Sequence, residues 1–363
     1  FGWLMLRRRG VYFSLMTLAL SALGFTIAFR WTSVTGGENG LGGVERPVLL
    51  GIDLNDNMNF YMLVALIALL AAGLMWRFVN SPLGHVLEAI RENETRATAL
   101  GYDTQRYKLA AFVLSASITA LAGVLLLYKN RLTSAEPMSI VFSGELLAMT
   151  VIGGMRGFLG PALGAVFYIL FREYLSIYTE NWLLWFGLVF MGFVLFARDG
   201  LIGIGRQIAA RLFPGPDTAA AMSDRKIEAL PLPEMLRATG DAAGSVLKAQ
   251  DMVKSFGGFR AVDGVSIDVQ DRSLHALIGP NGAGKTTAFN LLSGMLTPDS
   301  GQVTLSGSEV AGLSADRIAG LGMGRSFQIT SLFPDLSVQE NVRLAIQAGD
   351  PARMNPWTAA TGI

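Results

Sequence analysis

The sequence contains no cysteine and only two histidines among its 363 residues. Without cysteine, the protein has no disulfide framework, no thiolate metal site and no cysteine nucleophile. The histidines, His85 and His275, lie far apart in the chain, which argues against a histidine-based metal cluster.

Charged residues are also scarce. They make up 16% of the chain, whereas about 25% is typical of a soluble domain. Apolar residues make up 51%, so we expect a large part of the chain to lie in a lipid bilayer. The net charge of +1 does not indicate a nucleic-acid-binding surface.

Six hydrophobic stretches occupy the N-terminal half of the sequence. They cover about residues 11–29, 58–79, 109–128, 140–155, 158–173 and 182–197. The first three are long enough to cross a hydrocarbon core of about 30 Å as helices. The last three are shorter and contain glycine, so each is a full span, a tilted span or a re-entrant segment. The first stretch follows Arg7-Arg8-Arg9, but its length favours a span over a signal peptide.

The distribution of basic residues predicts the orientation of these helices. Lysine and arginine are concentrated at the start of the chain and in residues 77–108, whereas residues 30–57 are rich in glycine and more acidic. Basic loops lie on the cytoplasmic side of a membrane. We therefore predict about six crossings within a permease domain of residues 1–204, with both ends of that domain in the cytoplasm.

The composition changes after Arg198. Residues 205–245 mix proline, alanine, glycine and charged residues without periodicity, which predicts a linker. A β-rich region follows from Ser245, and Leu274 to Ile278 is a compact apolar segment that predicts a strand. We assign residues 246–363 to a second domain.

A complete phosphate-binding loop follows the predicted strand and precedes a helical pattern, which is the context that supports this motif. Its residues are Gly279-Pro280-Asn281-Gly282-Ala283-Gly284-Lys285-Thr286, with Thr287 directly behind. Backbone amides of the loop and the helix N-terminus would bind phosphate. Lys285 would reach the β- and γ-phosphates, and the Thr286 hydroxyl would ligate Mg²⁺. The sequence thus predicts ATP and Mg²⁺ as cofactors.

From about residue 246 to 345 the chain resembles the ATPase domain of an ABC transporter. Lys254-Ser255-Phe256-Gly257-Gly258 is similar to the A-loop of that family, which implies that Phe256 stacks on adenine; the alternative is a buried core phenylalanine. Gly324-Arg325-Ser326-Phe327-Gln328 resembles the Q-loop, which implies that Gln328 senses Mg²⁺ and the γ-phosphate.

Three motifs of the same family do not occur after Gln328: the Leu-Ser-Gly-Gly-Gln signature, the Walker B run ending in Asp-Glu, and the switch histidine. The chain also begins with Phe1. We therefore expect the sequence to be a piece of a longer protein, truncated at both ends, and we expect this piece alone to be inactive as an ATPase.

A cytoplasmic helix is predicted near residues 82–101. Ser81 and Pro82 suit its start and Gly101 its end. Its apolar residues on or near one face are Leu87, Ile90, Ala97 and Leu100. The segment 97–103 resembles the coupling loop of ABC importers, which implies docking on the ATPase near the Q-loop; the alternative is a helix that only joins two spans.

The permease half resembles the membrane subunits of the branched-chain amino acid (leucine/isoleucine/valine) ABC importer family over nearly all of residues 1–205. The matching stretches include Arg9-Gly10-Val11-Tyr12-Phe13, Ser81-Pro82-Leu83-Gly84, Ala89-Ile90-Arg91-Glu92-Asn93-Glu94, Tyr107-Lys108-Leu109-Ala110-Ala111-Phe112 and Val151-Ile152-Gly153-Gly154. The fold class implied is multi-domain, with a polytopic α-helical membrane domain followed by an α/β P-loop nucleotide-binding domain.

This resemblance implies ATP-driven amino-acid import across the bacterial inner membrane, by a permease fused to its ATPase. The implied partners are a second permease subunit, a second ATPase subunit and an extracytoplasmic substrate-binding protein. Import of urea or short amides, an ABC exporter half-transporter and a non-transport ATP-binding regulator are the alternatives.

Two features of the membrane half remain open at this stage. Glu145 lies inside an apolar stretch, where a charge is costly; it faces a translocation path, bonds within the bundle or lies near the interface. Thr35-Gly36-Gly37 is predicted on the outer side, where it shapes the entrance or forms a flexible loop.

Overall fold

The computed structural model describes residues 2–7, 10–49, 51–197, 199–212, 244–327 and 332–357. They divide into two compact units. The first unit is formed mainly by residues 3–69 and 116–212, and the second by residues 70–115 and 244–357. The second unit therefore combines a segment of the predicted permease, residues 70–115, with the nucleotide-binding region.

The first half of the chain is helical. In chain order the helices are α1 (Gly2–Met5), α2 (Val11–Arg30), α3 (Thr32–Thr35), α4 (Asn57–Val79), α5 (Pro82–Ala99), α6 (Thr104–Asn130), α7 (Ile140–Gly153), α8 (Gly160–Tyr178), α9 (Trp182–Phe196) and α10 (Gly200–Leu212). Each of the six predicted hydrophobic stretches coincides with one of the longer helices.

Three of these helices, α2, α4 and α6, are long and apolar enough to cross a membrane. A fourth span results within the described residues if α9 and α10, which meet at a bend of 54°, are counted together. Helix α7, with 14 residues, is shorter than a typical span. The predicted hydrophobic stretches are helical, whereas the number of crossings and the form of the last three segments stay predictions.

The long helices are apolar around their whole circumference. Tyr12 of α2 is 75% exposed and Leu69 of α4 is 71% exposed. A helix without a polar face is stable only where its surroundings are apolar on all sides, which is the condition that a bilayer provides.

Helices α7, α8 and α10 pack backbone against backbone through glycine. A Cβ atom on Gly164 would lie 1.8 Å from the Met149 carbonyl oxygen, and a Cβ atom on Gly153 would lie 1.8 Å from the Gly160 carbonyl oxygen. At Gly200, which has a φ of 62°, a Cβ would lie 2.5 Å from the Gly154 nitrogen. Small residues permit such close approach between helices in a membrane.

The loops at one end of the first unit are held by a buried arginine. Arg46 donates from Nε to the Tyr128 carbonyl oxygen at 3.0 Å and from Nη1 to Asn57 Oδ1 at 2.9 Å. Its guanidinium lies 4.0 Å from the centre of the Phe60 ring. Short antiparallel pairs lie nearby in the chain: β1 (Leu41–Gly42) with β4 (Leu132–Thr133), and β2 (Val48–Leu49) with β3 (Ile52–Asp53).

Within its described residues, the nucleotide-binding region contains an antiparallel sheet and three α-helices. The strands are β5 (Ser245–Phe256), β6 (Phe259–Gln270), β7 (Ser300–Leu305) and β8 (Ser308–Glu309), in the order β6-β5-β7-β8. The helices are α11 (Lys285–Leu292), α12 (Ala315–Gly320) and α13 (Val338–Gln347). Buried residues of β5 and β7, such as Ala249, Met252 and Val303, form a core with α11 and α12.

The predicted strand at 274–278 is wrong for this structure. The segment has no regular secondary structure; Leu274 is fully exposed and Ile278 is 90% exposed. The physical reason is the lack of a neighbour among the described strands, because extended backbone is stabilised by ladder hydrogen bonds to an adjacent strand.

The predicted linker is also corrected at its start. Residues 205–212 belong to α10, which begins at Gly200, and β5 begins at Ser245. Helix α10 has only 13 residues, three of which are glycine, so the sequence gives only a weak helical pattern. The rest of the predicted linker, residues 213–243, lies outside the described residues.

Helix α5 begins and ends where the sequence predicts. Ser81 Oγ accepts a hydrogen bond from the Gly84 amide at 3.3 Å, Pro82 is the first helical residue, and Gly101 has a φ of 103°. The unexpected feature is a break at Asn93, whose φ of −151° is not helical. Asn93 Oδ1 accepts from the Arg96 amide at 3.0 Å and so caps a second, shorter helical segment.

Candidate nucleotide site and coupling interface

The phosphate-binding loop forms a tight turn that leads directly into α11. Gly282 and Gly284 have φ values of 85° and 79°, in the left-handed region that favours glycine. Gly284 is also the closest approach of the loop to the sheet, since a Cβ there would lie 2.1 Å from the Ala261 carbonyl oxygen. Both glycines therefore have a steric reason for their place in the motif.

The lysine of the loop is folded over the turn. Lys285 Nζ donates to the carbonyl oxygens of Gly279 and Pro280, at 2.6 Å each. Thr286 and Thr287 follow in the first turn of α11, where Thr286 is exposed and Thr287 is half-buried. An exposed helix N-terminus with an ammonium group above it fits the phosphates of a nucleotide.

Phe256 lies at the end of β5, opposite Phe259 across the hairpin turn. Its side chain is 49% exposed, so the alternative of a buried core phenylalanine is wrong. Two residues beyond Phe259, Ala261 contacts Gly284 of the phosphate-binding loop. The fold thus brings the aromatic residue and the loop to the same end of the hairpin, although adenine stacking itself stays a prediction.

The backbone before Phe256 is held by Asp299. Its carboxylate accepts from Lys254 Nζ at 2.7 Å and from the Ser255 amide at 2.7 Å. The hydrogen bond from Lys254, followed by that from Ser255, holds the pKa of Asp299 below its usual value. The Lys254 ammonium also lies 5.9 Å from the centre of the Phe256 ring.

Gln328 lies outside the described residues, so its position stays a prediction. The segment just before it is anchored to the end of α11, because Arg325 Nη1 donates to Ser293 Oγ at 2.6 Å. Burial lowers the pKa of the Arg325 guanidinium. Arg325 and Ser293 also line a small cavity together with Ala99 from the end of α5. The end of α5 therefore lies beside the segment that leads to Gln328.

Helix α5 packs on the nucleotide-binding region through a single apolar cluster. The predicted residues Ile90 and Ala97 are fully or almost fully buried in it, while Leu87 and Leu100 lie at its edge. Prediction missed other members of the cluster, which are Leu83, Val86 and Ala89 from α5, Tyr102 and Tyr107, and Phe333, Leu336 and Leu344. The alternative of a helix that only joins two spans does not account for this packing.

Hydrogen bonds fix the register of this contact, which we call the coupling interface: residues 82–107 against residues 333–353. The Tyr102 hydroxyl donates to the Leu344 carbonyl oxygen at 2.6 Å, and Gln347 Nε2 donates to the Pro82 carbonyl oxygen at 3.1 Å. Both side chains are buried, and burial raises the pKa of Tyr102. Arg353 Nη1 adds a longer bond of 3.4 Å to the Gly101 carbonyl oxygen.

Glu92 and Arg96, in the coupling interface, carry opposite charges but do not form an ion pair with each other. Glu92 and Arg96 are four residues apart, a spacing that permits an ion pair on a continuous helix, but the break at Asn93 lies between them. Both Glu92 carboxylate oxygens and Arg96 Nε are shielded from solvent, and no ion pair joins the two groups among the described residues. The Asp335 backbone lies close to the Glu92 carboxylate. Burial raises the pKa of Glu92. The Arg96 guanidinium lies 5.1 Å from the centre of the Phe333 ring.

The helix that α5 docks against begins with a capping box, a sequence signal that could have predicted it. Ser337 and Glu340 form a capping box: Ser337 Oγ accepts from the Glu340 amide at 3.2 Å, and Glu340 Oε2 accepts from the Ser337 amide at 2.7 Å. The hydroxyl and the amide of Ser337 lower the pKa of Glu340. A capping box before an amphipathic run marks a helix start, here that of α13, which carries Leu344 and Gln347.

Glu145 and the segment Thr35-Gly36-Gly37 both lie in the first unit. Glu145 is half-buried on α7, and its role stays a prediction. Thr35-Gly36-Gly37 forms a turn at the end of α3, in which the Gly37 amide donates to Thr35 Oγ1 at 3.3 Å. Its assignment to the entrance stays a prediction.

Comparison with known proteins matches both halves of the chain. The family described as "Branched-chain amino acid transport system / permease component" matches residues 1–198, and the family described as "ABC transporter" matches residues 262–362. The fold and the phosphate-binding loop define the class: a helical permease domain followed by an ABC ATPase domain. The chain belongs to the branched-chain amino acid transport system permease component family.

Several curated proteins are similar to the chain. The high-affinity branched-chain amino acid transport system permease protein LivM of Escherichia coli is 28% identical over 228 residues, which are 56% of this chain and 54% of LivM. The ATP-binding protein BraF of Pseudomonas aeruginosa is 41% identical over 100 residues, which are 28% of this chain and 39% of BraF. The ATP-binding protein LivG of Escherichia coli is 39% identical over 100 residues, with the same coverage. The chain thus spans about half or less of the relatives it matches.

Proposed function

We propose that this chain is a permease and ATP-binding fusion subunit of a bacterial ABC importer for branched-chain or related hydrophobic amino acids. It acts in the inner membrane with its ATPase domain in the cytoplasm. It works with a second permease subunit, a second ATPase subunit and an extracytoplasmic substrate-binding protein. The similarity of the two halves to permease and ATP-binding proteins of one transport system supports this assignment.

The observation that carries the proposal is the coupling interface. Helix α5 follows an apolar helix of the permease domain and is buried against the nucleotide-binding region. Because Val86 and Ala97 are completely buried there, a displacement of α13 acts on α5 through direct packing rather than through a flexible connection. Such a contact suits transmission of movement between the two domains.

The residues of the loop fit ATP and Mg²⁺. The amides at the start of α11 and the Lys285 ammonium would hold the phosphates, the Phe256 ring would stack on adenine, and Thr286 together with Gln328 would hold the metal ion. When bound, ATP supplies the free energy of transport through hydrolysis of its terminal phosphate. The protein groups orient the phosphates and neutralise their charge.

The test is uptake of radiolabelled leucine by cells that depend on the intact transporter. We expect Lys285→Ala to abolish uptake, because it removes the ammonium group that lies over the loop, while the protein remains in the membrane. Lys248→Ala is the matched control, since Lys248 is an exposed lysine of β5, and it should retain wild-type uptake. Wild-type uptake by the Lys285→Ala protein would refute the ATP-driven mechanism.

The same assay separates the alternatives. Competition by urea or acetamide, with no competition by isoleucine or valine, would favour the short-amide importer. Transport of the substrate out of the cell, without any need for a substrate-binding protein, would favour an exporter. Dependence on a binding protein together with inhibition by isoleucine and valine supports the proposed importer.

A further inference from the structure

Helix α10 has a face that nothing in the described structure covers. Its N-terminal half packs on other residues of the first unit, where Gly200 and Gly203 are buried and Ile202 lies against Gly157. Its C-terminal half extends away from this contact, and Ile204, Ile208 and Leu212 are 40%, 52% and 69% exposed.

The residues of α10 divide into two faces. At 100° per residue, Ile204, Ile208 and Leu212 form one continuous apolar stripe. Arg206, Gln207 and Arg211 occupy the remaining arc: Arg206 lies opposite Ile208, whereas Arg211 borders the stripe, about 20° from Ile204. No acidic residue lies between Gly200 and Leu212, so every charge on the helix is basic. An apolar stripe with basic residues on the rest of the helix is the pattern of helices that lie in the plane of a membrane surface.

The position of α10 in the chain points to lipid as the occupant of this face. Helix α9 precedes it, contains no charged residue and exposes apolar side chains such as Leu188 and Leu195. The two helices meet at a bend of 54°, and Gly200, with a φ of 62°, lies at the turn. The exposed apolar surface of α9 thus continues onto α10 after a change of direction.

The charges argue against α10 as the second half of a broken span. Within a span, Arg206 and Arg211 would lie in the hydrocarbon, where arginine is strongly disfavoured. In the interface plane Arg206 faces the headgroups, and Arg211, at the edge of the apolar stripe, reaches them with its long side chain. Arginine near a membrane surface is attracted to anionic lipid.

We propose that α10 is an interfacial anchor that inserts Ile204, Ile208 and Leu212 below the headgroups and binds anionic phospholipid through Arg206 and Arg211. This inference rests on the proposed membrane placement of the chain. It assigns to the segment between the permease and the ATPase a lipid-binding role in addition to that of a connector.

The absence of cysteine permits a direct test with single labels in the full chain. Spin labels on Ile208→Cys, Gln207→Cys and Leu188→Cys are compared in vesicles of phosphatidylcholine with and without phosphatidylglycerol. Accessibility to oxygen and to a water-soluble nickel chelate gives the depth of each label. We expect the label at 208 to be shielded from the chelate and the label at 207 to be open to it, with the label at 188 deep in the hydrocarbon.

A charge test addresses the lipid specificity. In vesicles with phosphatidylglycerol, Arg206→Gln and Arg211→Gln should each lower the ratio of inserted to free label at 208 by about fivefold. Arg30→Gln, which removes an exposed arginine at the end of α2, should leave the ratio unchanged. No response to phosphatidylglycerol or to the arginine substitutions would overturn the binding of anionic lipid.

The depth measurement distinguishes the remaining outcomes. Equal exposure of the labels at 207 and 208 to the chelate, with the label at 188 in the hydrocarbon, would overturn the anchor and leave the proposed function intact. Burial of both α10 labels in the hydrocarbon would show a broken span and also overturn it. Exposure of the label at 188 to water would refute the membrane placement on which both proposals rest.

Discussion

Helices α4 and α5 follow one another in the chain, yet they bury different kinds of surface. Helix α4 has 23 residues and exposes large apolar side chains on every side, including Tyr61 at 66% and Leu69 at 71%. Helix α5 has 18 residues, a polar outer face and a buried apolar face with Val86 at 0% exposure. The comparison teaches that apolar content shows which solvent a helix needs, whereas apolar periodicity shows whether it has a protein partner.

The largest expected effect comes from a charge placed in the coupling interface. Val86→Arg introduces a guanidinium at a completely buried position and should lower the free energy of unfolding by about 3 kcal/mol or more. Hydrogen–deuterium exchange should show loss of protection across α5. Thr95→Arg on the exposed side of α5 is the control, and equal effects of the two substitutions would contradict the buried cluster.

The same residue type placed in α4 sharpens the contrast. Leu69→Arg should leave the packing of the protein unchanged, because Leu69 contacts little else, but should oppose membrane insertion by about 2.5–3.5 kcal/mol. A glycosylation-based insertion assay measures this. Full insertion of the Leu69→Arg protein would show that α4 is not surrounded by lipid at this point.

A smaller effect is expected from the loss of one hydrogen bond in the coupling interface. Tyr102→Phe removes the donor to the Leu344 carbonyl oxygen, which still accepts from the Ala348 amide at 3.1 Å. The loss of this one hydrogen bond should cost about 0.5–1.5 kcal/mol. Thermal unfolding in detergent measures the change. Tyr174→Phe on α8, where the tyrosine is 65% exposed, should have no effect; a similar loss in both proteins would argue against a specific role of the bond.

The smallest effect concerns Glu92. Its pKa is higher in the folded protein than in the unfolded chain, because burial disfavours the carboxylate. Protonation therefore favours the folded state, and the free energy of unfolding should rise as the pH falls through the raised pKa towards the ordinary value of 4.5. Glu92→Gln should remove this pH dependence.

Unfolding measured between pH 4 and pH 8 tests this prediction. Glu88→Gln is the matched control, because Glu88 pairs with Arg91 on the outer side of α5 with 42% of its side chain exposed. A pH dependence that survives in the Glu92→Gln protein would assign it to another group.

Local features of the sequence predicted a large part of the molecule. The six hydrophobic stretches became helices because their apolar runs need an apolar solvent. The ends of α5 were correct because Ser81, Pro82 and Gly101 act through short-range backbone geometry. The turn at Gly282 and Gly284 followed from the same kind of local constraint.

Features that depend on a distant partner were missed or wrong. The segment 274–278 has the composition of a strand but no adjacent strand among those described, so its composition did not suffice. The break at Asn93 was also missed. It lies between Ile90 and Ala97, which both pack in the buried cluster. The partners Phe333 and Leu344 are more than two hundred residues from α5, a separation at which no periodicity signals contact.

The sequence by itself determined the class of the protein, the place of its membrane helices and the residues of its phosphate-binding loop. These follow from composition and from spacings of a few residues, which act through local sterics and solvent preference. Only the tertiary structure decided which surface α5 covers, how Arg325 anchors the segment before Gln328 and which face of α10 stays open. Those properties depend on side chains that meet in space after folding, because packing and burial energies arise between segments that are far apart in the chain.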